Sequence, residues 1–320
     1  MPKVYITGEI ENNGIELLKR HGFEVEICSE NQNLSHAHLK EIFSKFDAVV
    51  SLVSDKIDSE IIKAASADFL VIANYAVGFD NIDVLAASRR GIIVCNTPGI
   101  AADSVAEHTF MLILACAKRV IEADRYVRAG KYVRWEPKLF VSPALWGQTL
   151  GIIGLGKIGT YVGHIGYGGF KMRILYSDVE ASEDFELLTE AKRVSLERLI
   201  RESDVISVHA PLNEKTRHLI STEEFKQMKD TAIIVNTGRG PIIDQDALVS
   251  ALKENEIRAA GLDVYEREPL VSADLLQSDN LVLLPHLGSA TRQTREAMGF
   301  RVLENVAAFF EGREPGDRVA

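Results

Sequence analysis

The sequence predicts an α/β protein with two doubly wound, parallel-sheet domains (Rossmann-like or flavodoxin-like) and a cleft between them. Two series of short β-rich segments alternate with stretches long enough for helices, one over residues 3–95 and one from residue 149 onward. This alternation is typical of βαβ units, whose parallel sheets are covered by helices on both faces. The chain has 320 residues, more than one core usually holds, so two domains are expected.

The first series of strands lies in the N-terminal third of the chain. Each strand is short and apolar, and each is followed by a segment long enough for a helix. The predicted strands are Val4–Thr7, Phe23–Ile27, Ala48–Val53, Leu70–Ala73 and Ile92–Cys95.

A long helix is predicted next, from Ala102 to Ala129. Its first half is apolar on nearly every face, which indicates deep burial or a subunit interface. A loop rich in aromatic residues and prolines follows, from Tyr132 to Pro143, and the last helix is expected over Thr291–Glu311. The second series of strands is predicted at Thr149–Ile153, Arg173–Tyr176, Val205–Val208, Ala232–Val235, Ala259–Leu262 and Leu281–Leu284.

Composition excludes several classes of function. The net charge is −10 and no dense basic block is present, so nucleic acid is not an expected partner. No apolar run approaches the roughly 20 residues that span a bilayer, and no long apolar signal segment opens the chain, so a cytoplasmic protein is expected. Cys28, Cys95 and Cys116 show no C-x-x-C spacing, so neither a disulfide framework nor a metal site is predicted.

A glycine loop directly after the strand at Thr149–Ile153 has the sequence GLGKIG. Strand, tight glycine turn and helix start are the context that a dinucleotide requires. The first glycine allows the turn, the second lets the backbone approach a pyrophosphate, and the third lets the helix pack closely on its strand. Backbone N–H groups at the helix start then bind the anion. The residues predicted to bind the cofactor here are Gly154, Gly156, Lys157, Ile158 and Gly159.

Asp178 follows the next predicted strand, 19 residues after Gly159. A carboxylate at this position can accept hydrogen bonds from both adenosine ribose hydroxyls and would repel the extra phosphate of NADP, so NAD(H) is predicted over NADP(H). The helix after the glycine loop contains unusually many glycines, and we expect it to be short or packed very closely. These glycines are Gly163, Gly166, Gly168 and Gly169.

Three polar residues follow predicted strands in the second half: Arg239, Glu268 and His286. Carboxyl ends of parallel strands are where open α/β sheets bind ligands. Hydride transfer to a keto acid needs a cation for the carboxylate and ketone, an acid for the developing alkoxide, and a carboxylate beside that acid. Taken singly, an arginine or a histidine at such a position is more often a surface or structural residue, and Glu268 could lie on a solvated loop face, so spacing alone does not establish the three roles.

At these residues the chain closely resembles the D-isomer-specific 2-hydroxyacid dehydrogenase family, over essentially its whole length. The matching motifs occur in the family's order and together are highly specific. They lie at residues 75–83, 96–99, 151–159, 208–212, 236–240, 261–269 and 285–290.

The resemblance implies roles for individual residues. Arg239 is expected to bind and polarise the substrate, and His286 to act as the acid/base with Glu268 as its partner. Backbone N–H groups of Val77 and Gly78 are expected to hold the substrate carboxylate, with Leu52 nearby. Thr237, Asp263 and Gly288 are placed near the nicotinamide half of the cofactor, and His209, Ala210 and Pro211 along it.

The resemblance also implies a domain organisation. Residues 1–98 with 288–320 are expected to form the substrate domain, and residues 99–287 the NAD-binding Rossmann domain. A homodimer is expected, with the long helix near Ala102–Lys118 in its interface.

Within the family, Tyr75–Gly78 and Arg134–Pro137 look most like glyoxylate and hydroxypyruvate reductases. The predicted function is therefore NAD-dependent reduction of one of these small 2-keto acids. Trp135 either reaches a neighbouring subunit's site or packs at an interface. Many NADP-using members of this subgroup carry a Ser-Arg type pair where this chain has Asp178-Val179.

Two alternatives remain: a short 3-phosphoglycerate dehydrogenase and, in another class, an NAD-sensing binding protein similar to corepressors on this scaffold. Formate dehydrogenases carry Gln where this chain has Glu268, which argues against them.

Overall fold

The computed structural model describes residues 1–11, 13–29 and 33–319 and contains two compact units. One unit comprises Met1–Ala101 and Ser289–Ala320, and the other comprises Ala102–Gly288. Both are α/β units with fully parallel sheets, which confirms the predicted fold class. None of the helices in the described part of the chain combines the length and apolar character that crossing a membrane requires.

The first unit contains a five-stranded sheet in the order β2-β1-β3-β4-β5. Strands β3 and β4 are central and every residue in them is buried, as expected for a sheet covered on both faces. The elements are β1 (Lys3–Ile6), α1 (Asn13–Arg20), β2 (Glu24–Ile27), α2 (His36–Lys45), β3 (Ala48–Ser51), α3 (Ser59–Ala64), β4 (Val71–Asn74), α4 (Val84–Arg89), β5 (Ile93–Cys95) and a C-terminal helix, Arg292–Phe310.

The second unit contains a seven-stranded sheet, and its helices begin with α5 (Ala102–Lys118) and α6 (Val120–Arg128). The other elements are β6 (Thr149–Ile153), α7 (Lys157–Phe170), β7 (Arg173–Ser177), α8 (Glu183–Thr189), β8 (Lys192–Arg193), α9 (Leu196–Glu202), β9 (Val205–Val208), α10 (Thr222–Gln227), β10 (Ile233–Asn236), a 3₁₀ turn (Gly240–Ile242), α11 (Gln245–Lys253), β11 (Ala259–Leu262), α12 (Ala273–Leu276) and β12 (Leu281–Leu283).

The strand order of the second sheet is β12-β11-β10-β9-β6-β7-β8. The order in which strands are added therefore reverses at β6, between its neighbours β7 and β9, while all strands stay parallel. The chain runs outward from β6 through β7 to β8 and then returns to place β9 on the other side of β6. In open α/β sheets, ligands bind beyond the carboxyl ends of the strands at such a reversal. The glycine loop follows β6, so the topology places it at this point.

The predicted strands are all present, with ends within two residues of those expected. Strand β8 was not predicted, because two charged residues at a sheet edge carry no apolar signal. The single long helix predicted from Ala102 to Ala129 is wrong. It is broken at Arg119, which adopts a left-handed conformation with φ of 54°. A residue in that conformation ends a helix, and a second helix starts at Val120.

Helix α5 is buried within its own unit, where it packs on α7, β10 and β11. This packing accounts for the apolar residues of α5 that are buried in the unit. Helix α7 has 14 residues and packs closely, which is the second of the two alternatives expected for it. A Cβ on Gly163 would lie 2.4 Å from the Phe185 ring, and one on Gly166 would lie 2.8 Å from Leu150. Gly168 and Gly169 border open space, and nothing in the structure explains them.

Candidate active site

The glycine loop after β6 has the geometry of an anion cradle. Gly154 has a φ of 91°, and a Cβ there would lie 2.6 Å from the backbone nitrogen of Ala210. A Cβ on Gly159 would lie 2.3 Å from the Gly154 carbonyl oxygen, so both positions require glycine. A Cβ on Gly156 would meet no atom within 4 Å, so the face of the loop at Gly156 is open. Helix α7 starts at Lys157 without a side-chain cap, and its first N–H groups suit an anion.

Asp178 directly follows β7 and is held against the glycine loop. Its Oδ2 accepts a hydrogen bond of 2.6 Å from the Leu155 backbone N–H. Arg193 on β8 donates to the backbone carbonyls of Asp178 and Val179, at 3.0 and 2.7 Å. The carboxylate is thus fixed beside the glycine loop.

His209 follows β9 and reaches the same loop, since its backbone carbonyl carbon would lie 2.8 Å from a Cβ on Gly154. Its Nε2 lies 2.7 Å from the Ser207 hydroxyl, and burial of the ring lowers its pKa to about 3. The ring is therefore neutral at physiological pH. Its Nδ1 is buried and forms no hydrogen bond with the described residues. An unpaired buried nitrogen beside an open glycine loop is consistent with a dinucleotide-binding site.

Arg239 lies in the loop after β10, which Asn236 shapes. The Asn236 side chain accepts from the Gly238 N–H at 3.0 Å and donates to the Arg239 carbonyl at 2.9 Å. The Arg239 guanidinium donates to the Gly238 carbonyl at 2.9 Å. A Cβ on Gly240 would lie 1.9 Å from the carbonyl carbon of Tyr265, so only glycine allows these two loops to meet.

Glu268 and His286 form a pair after β11 and β12. His286 Nδ1 lies 2.7 Å from Glu268 Oε2, and the other Glu268 oxygen accepts the Tyr265 N–H at 3.1 Å. Because Nδ1 faces the carboxylate, Nε2 is the ring nitrogen available to a reacting group. Strands β10, β11 and β12 are neighbours, so their loops bring Arg239, Glu268 and His286 to one edge of the sheet.

Tyr265, which sequence reasoning did not select, supports this pair from both sides. Its N–H holds Glu268, and its hydroxyl donates at 2.8 Å to the carbonyl of Leu284, two residues before His286. Burial, and then the charges of Asp263 and Glu268, raise the pKa of Tyr265 to about 12. The phenol therefore stays protonated and remains a donor.

Asp263 is 1% exposed and holds the turn that carries His286. Its backbone carbonyl accepts the His286 N–H at 2.9 Å. Its two carboxylate oxygens accept the N–H groups of Leu287 and Gly288, both at 2.8 Å. His286 has a φ of 56°, a conformation that non-glycine residues seldom adopt. Asp263 thus stabilises an unfavourable backbone conformation at the candidate acid.

Helix α5 contributes three residues that sequence reasoning missed. Thr109 Oγ1 lies 2.9 Å from Thr237 Oγ1, and the Ser104 hydroxyl donates to the Gly288 carbonyl at 2.8 Å. His108 Nε2 lies 3.2 Å from Asp263 Oδ1. These partners are more than 120 residues apart in the chain, so no local pattern could reveal them.

The candidate carboxylate-binding residues of the first unit lie in a turn after β4. Asn96 donates to the Val77 carbonyl at 2.7 Å, and Asn74 donates to the Gly78 carbonyl at 2.8 Å. The backbone N–H groups of Val77 and Gly78 donate no hydrogen bond to any of the described residues. The Leu52 N–H lies 3.0 Å from the Thr7 hydroxyl oxygen and 2.8 Å from a carboxylate oxygen of Asp55, so Leu52 can contribute only its side chain.

Comparison with known proteins places these features in a family context. Residues 110–288 match the family model described as "D-isomer specific 2-hydroxyacid dehydrogenase, NAD binding domain". The chain is 46% identical to a glyoxylate reductase of Korarchaeum cryptofilum, over 99% of this chain and 96% of that protein. The crystal structure of the TT0316 protein from Thermus thermophilus is similar, with a TM-score of 0.93 and 38% identity over 99% of this chain and 100% of that one.

A further similar structure is an NADPH-dependent glyoxylate/hydroxypyruvate reductase from Sinorhizobium meliloti, in complex with NADP and malonate. It is 29% identical, with a TM-score of 0.86, over 100% of this chain and 97% of that one.

Proposed function

Since the chain belongs to the D-isomer-specific 2-hydroxyacid dehydrogenase family of oxidoreductases, we propose that it reduces glyoxylate or hydroxypyruvate with NADH. The observation that carries the proposal is the 2.7 Å contact between His286 and Glu268 at the carboxyl edge of a dinucleotide-binding sheet. The naming of the Korarchaeum cryptofilum relative as a glyoxylate reductase supports the substrate class.

The roles of the catalytic residues follow from their chemistry. When bound, the reduced nicotinamide supplies the hydride for the keto carbon. The Arg239 guanidinium binds the substrate through its planar fork of donors and polarises the ketone. His286 donates its Nε2 proton to the developing alkoxide, and Glu268 orients the ring and stabilises its charged form. For oxidation of the hydroxy acid, the same nitrogen accepts the proton.

The substrate carboxylate is proposed to bind the N–H groups of Val77 and Gly78, with the side chain of Leu52 nearby. The Gly78 N–H shares a peptide group with the Val77 carbonyl, which Asn96 holds, and the Val77 N–H shares one with the Ala76 carbonyl, which accepts the Thr97 N–H at 2.9 Å. Both peptide groups are therefore oriented before any ligand arrives, which reduces the entropy lost on binding. In this proposal the first unit is the substrate domain and the second unit binds the cofactor.

The cofactor is proposed to bind along the carboxyl edge of the second sheet. The glycine loop, with Lys157 and Ile158 at the start of α7, would hold the pyrophosphate, and Asp178 the adenosine ribose. His209 to Pro211 would line the cofactor's path. Thr237, Asp263 and Gly288 would surround the nicotinamide half.

A substrate panel tests the proposed reaction. Oxidation of NADH and of NADPH is followed by absorbance with glyoxylate, hydroxypyruvate, pyruvate and phosphohydroxypyruvate. We expect the fastest turnover with NADH and one of the first two acids. Turnover of phosphohydroxypyruvate alone would support a phosphoglycerate dehydrogenase instead, and no turnover with any of the four would contradict the proposed substrates.

Replacing Asp178 by serine is expected to shift the ratio of the NADH and NADPH dissociation constants toward NADPH by about tenfold or more, since the repulsion of a ribose phosphate is removed. The ratio is the proper quantity, because losing the Leu155 hydrogen bond weakens both cofactors. Dissociation constants are measured by the fluorescence of the reduced cofactors. Glu180→Ser removes a nearby exposed carboxylate and should leave the ratio unchanged; an equal shift in both variants would refute the role of Asp178.

A homodimer is proposed, with its interface on α6 and the following loop. Val127 on α6 and Trp135 and Trp146 in the loop are 58%, 75% and 65% exposed, and several exposed large apolar side chains in one stretch of chain favour a binding surface. Val127→Asp is expected to convert the dimer to a monomer, measured by sedimentation velocity. Leu187→Asp changes an 83% exposed leucine on α8 and should leave the dimer intact. A wild-type monomer would disprove the proposal.

A further inference from the structure

The turn that carries His286 is built around a buried negative charge. Asp263 accepts hydrogen bonds from three consecutive backbone N–H groups, those of His286, Leu287 and Gly288, the last two through its carboxylate. Its side chain is 1% exposed, so solvent gives the charge almost no stabilisation. Two hydrogen bonds from uncharged amides only partly replace the water that the carboxylate has lost. A further polar group is needed nearby to compensate the charge.

His108 lies where such a group would act. Its Nε2 is buried, its side chain is 12% exposed, and the nitrogen lies 3.2 Å from Asp263 Oδ1. The alignment of the ring is not that of a hydrogen bond, so the ring acts on the carboxylate as a nearby polar group, and electrostatic interactions are strong where water is excluded. Burial, and then the charges of Asp263 and Glu268, raise the pKa of the neighbouring Tyr265, so this phenol stays neutral.

Helix α5 also contacts the turn after His286 through residues close to His108. Ser104 lies one helical turn before His108, and its hydroxyl donates to the Gly288 carbonyl at 2.8 Å. Between them, Val105 contacts Gly288 closely enough that a Cβ there would lie 3.3 Å from its side chain. The turn after His286 is thus enclosed by Asp263 on one side and by α5 on the other.

We propose that His108 is a positioning residue for the dehydrogenase reaction. By compensating the buried carboxylate of Asp263, it keeps the three N–H groups in place and holds His286 in its left-handed conformation, with Nε2 available to substrate. This inference rests on the proposed role of His286 as the acid. His108 itself transfers no proton and contacts no reacting atom in this proposal.

Kinetics of two substitutions at this position test the proposal. His108→Leu is expected to lower kcat for the keto acid by roughly tenfold or more, while KM changes by less than about threefold. His108→Gln can place an amide donor near the carboxylate and should recover most of that loss. Expressing kcat per NADH-binding site removes any contribution from misfolded protein. His164→Leu, the same change at an exposed histidine of α7, is the control and should leave kcat unchanged.

The kinetic outcome decides whether His108 positions the acid. If His108→Leu keeps kcat within about twofold, or if Gln recovers nothing, the positioning role is wrong. A loss that appears only in KM or only in NADH affinity also contradicts it, because the proposal concerns the acid and not the binding of either ligand.

A double-mutant cycle, measured by thermal unfolding, tests the interaction of His108 with Asp263 independently of catalysis. His108→Leu is expected to lower Tm by about 5 °C or more in the wild-type background, because it leaves a buried charge uncompensated. In the Asp263→Asn background, where that charge is gone, the same substitution should have little effect. Equal shifts in both backgrounds would overturn the coupling. If glyoxylate and hydroxypyruvate both fail as substrates, the proposed substrates are wrong, but this cycle still tests His108.

Discussion

Replacing His286 by asparagine is expected to lower kcat by about 100-fold to 10,000-fold, while the dissociation constant for NADH stays within about threefold. Asparagine cannot donate the proton that the alkoxide needs, whereas none of the contacts of the glycine loop or of Asp178 changes. Asparagine also tolerates the φ of 56° that position 286 requires, so the turn is preserved. Steady-state kinetics and a fluorescence titration with NADH measure the two quantities separately.

The matched control for this prediction is His218→Asn. His218 also has a left-handed backbone, with φ of 51°, and it too pairs with a glutamate, although through Nε2, which lies 3.0 Å from Glu266. If a histidine-carboxylate pair in this conformation mattered only for stability, the two variants would behave alike. We expect His218→Asn to keep kcat within about threefold. Unchanged turnover in His286→Asn would show that His286 is not the acid.

Replacing Arg239 by lysine is expected to lower kcat/KM for the keto acid by about 100-fold or more, although the positive charge is kept. Lysine lacks the planar fork that can bind a carboxylate and polarise a carbonyl together. The loop itself should persist, because Asn236 holds it through backbone atoms of Gly238 and Arg239. The measurement is kcat/KM for glyoxylate and hydroxypyruvate, with circular dichroism and NADH affinity as checks on folding.

Arg267→Lys is the control for this substitution. Arg267 is an exposed arginine next to Glu268, in the same region of the molecule, and the change should alter kcat/KM by less than about threefold. A similar fall in kcat/KM in both variants would show that any arginine-to-lysine change near the site lowers activity. An Arg239→Lys enzyme with nearly unchanged kcat/KM would refute the substrate-binding role of Arg239.

The strands and the glycine loop were predictable because their signals are local. A buried parallel strand is a short apolar run whatever its neighbours are, and β6, β9 and β11 begin and end at the residues predicted for them. Gly154 and Gly159 occupy positions where a Cβ would collide with backbone, so the pattern reflects a steric requirement of the turn itself.

The break between α5 and α6 was not predictable from local pattern. Residues on both sides of Arg119 favour helix, and the sequence contains no glycine or proline there to end it. In the structure, the Arg119 guanidinium pairs with Glu122 and lies 4.8 Å from the centre of the Phe140 ring. Contacts with a residue 21 positions away thus accompany the break, and helix propensity does not include them.

The sequence by itself determined the fold class and the position of the glycine loop, and its motifs made Arg239, Glu268 and His286 candidates for the site, because each of these signals lies in a run of adjacent residues. Only the tertiary structure decided what surrounds them. It paired His286 with Glu268, closed the loop of Gly240 onto Tyr265, and brought His108 to Asp263. These contacts join residues on different loops and helices. Their positions depend on how the sheet orders its strands and on how α5 packs against it, and that packing is a property of the whole unit.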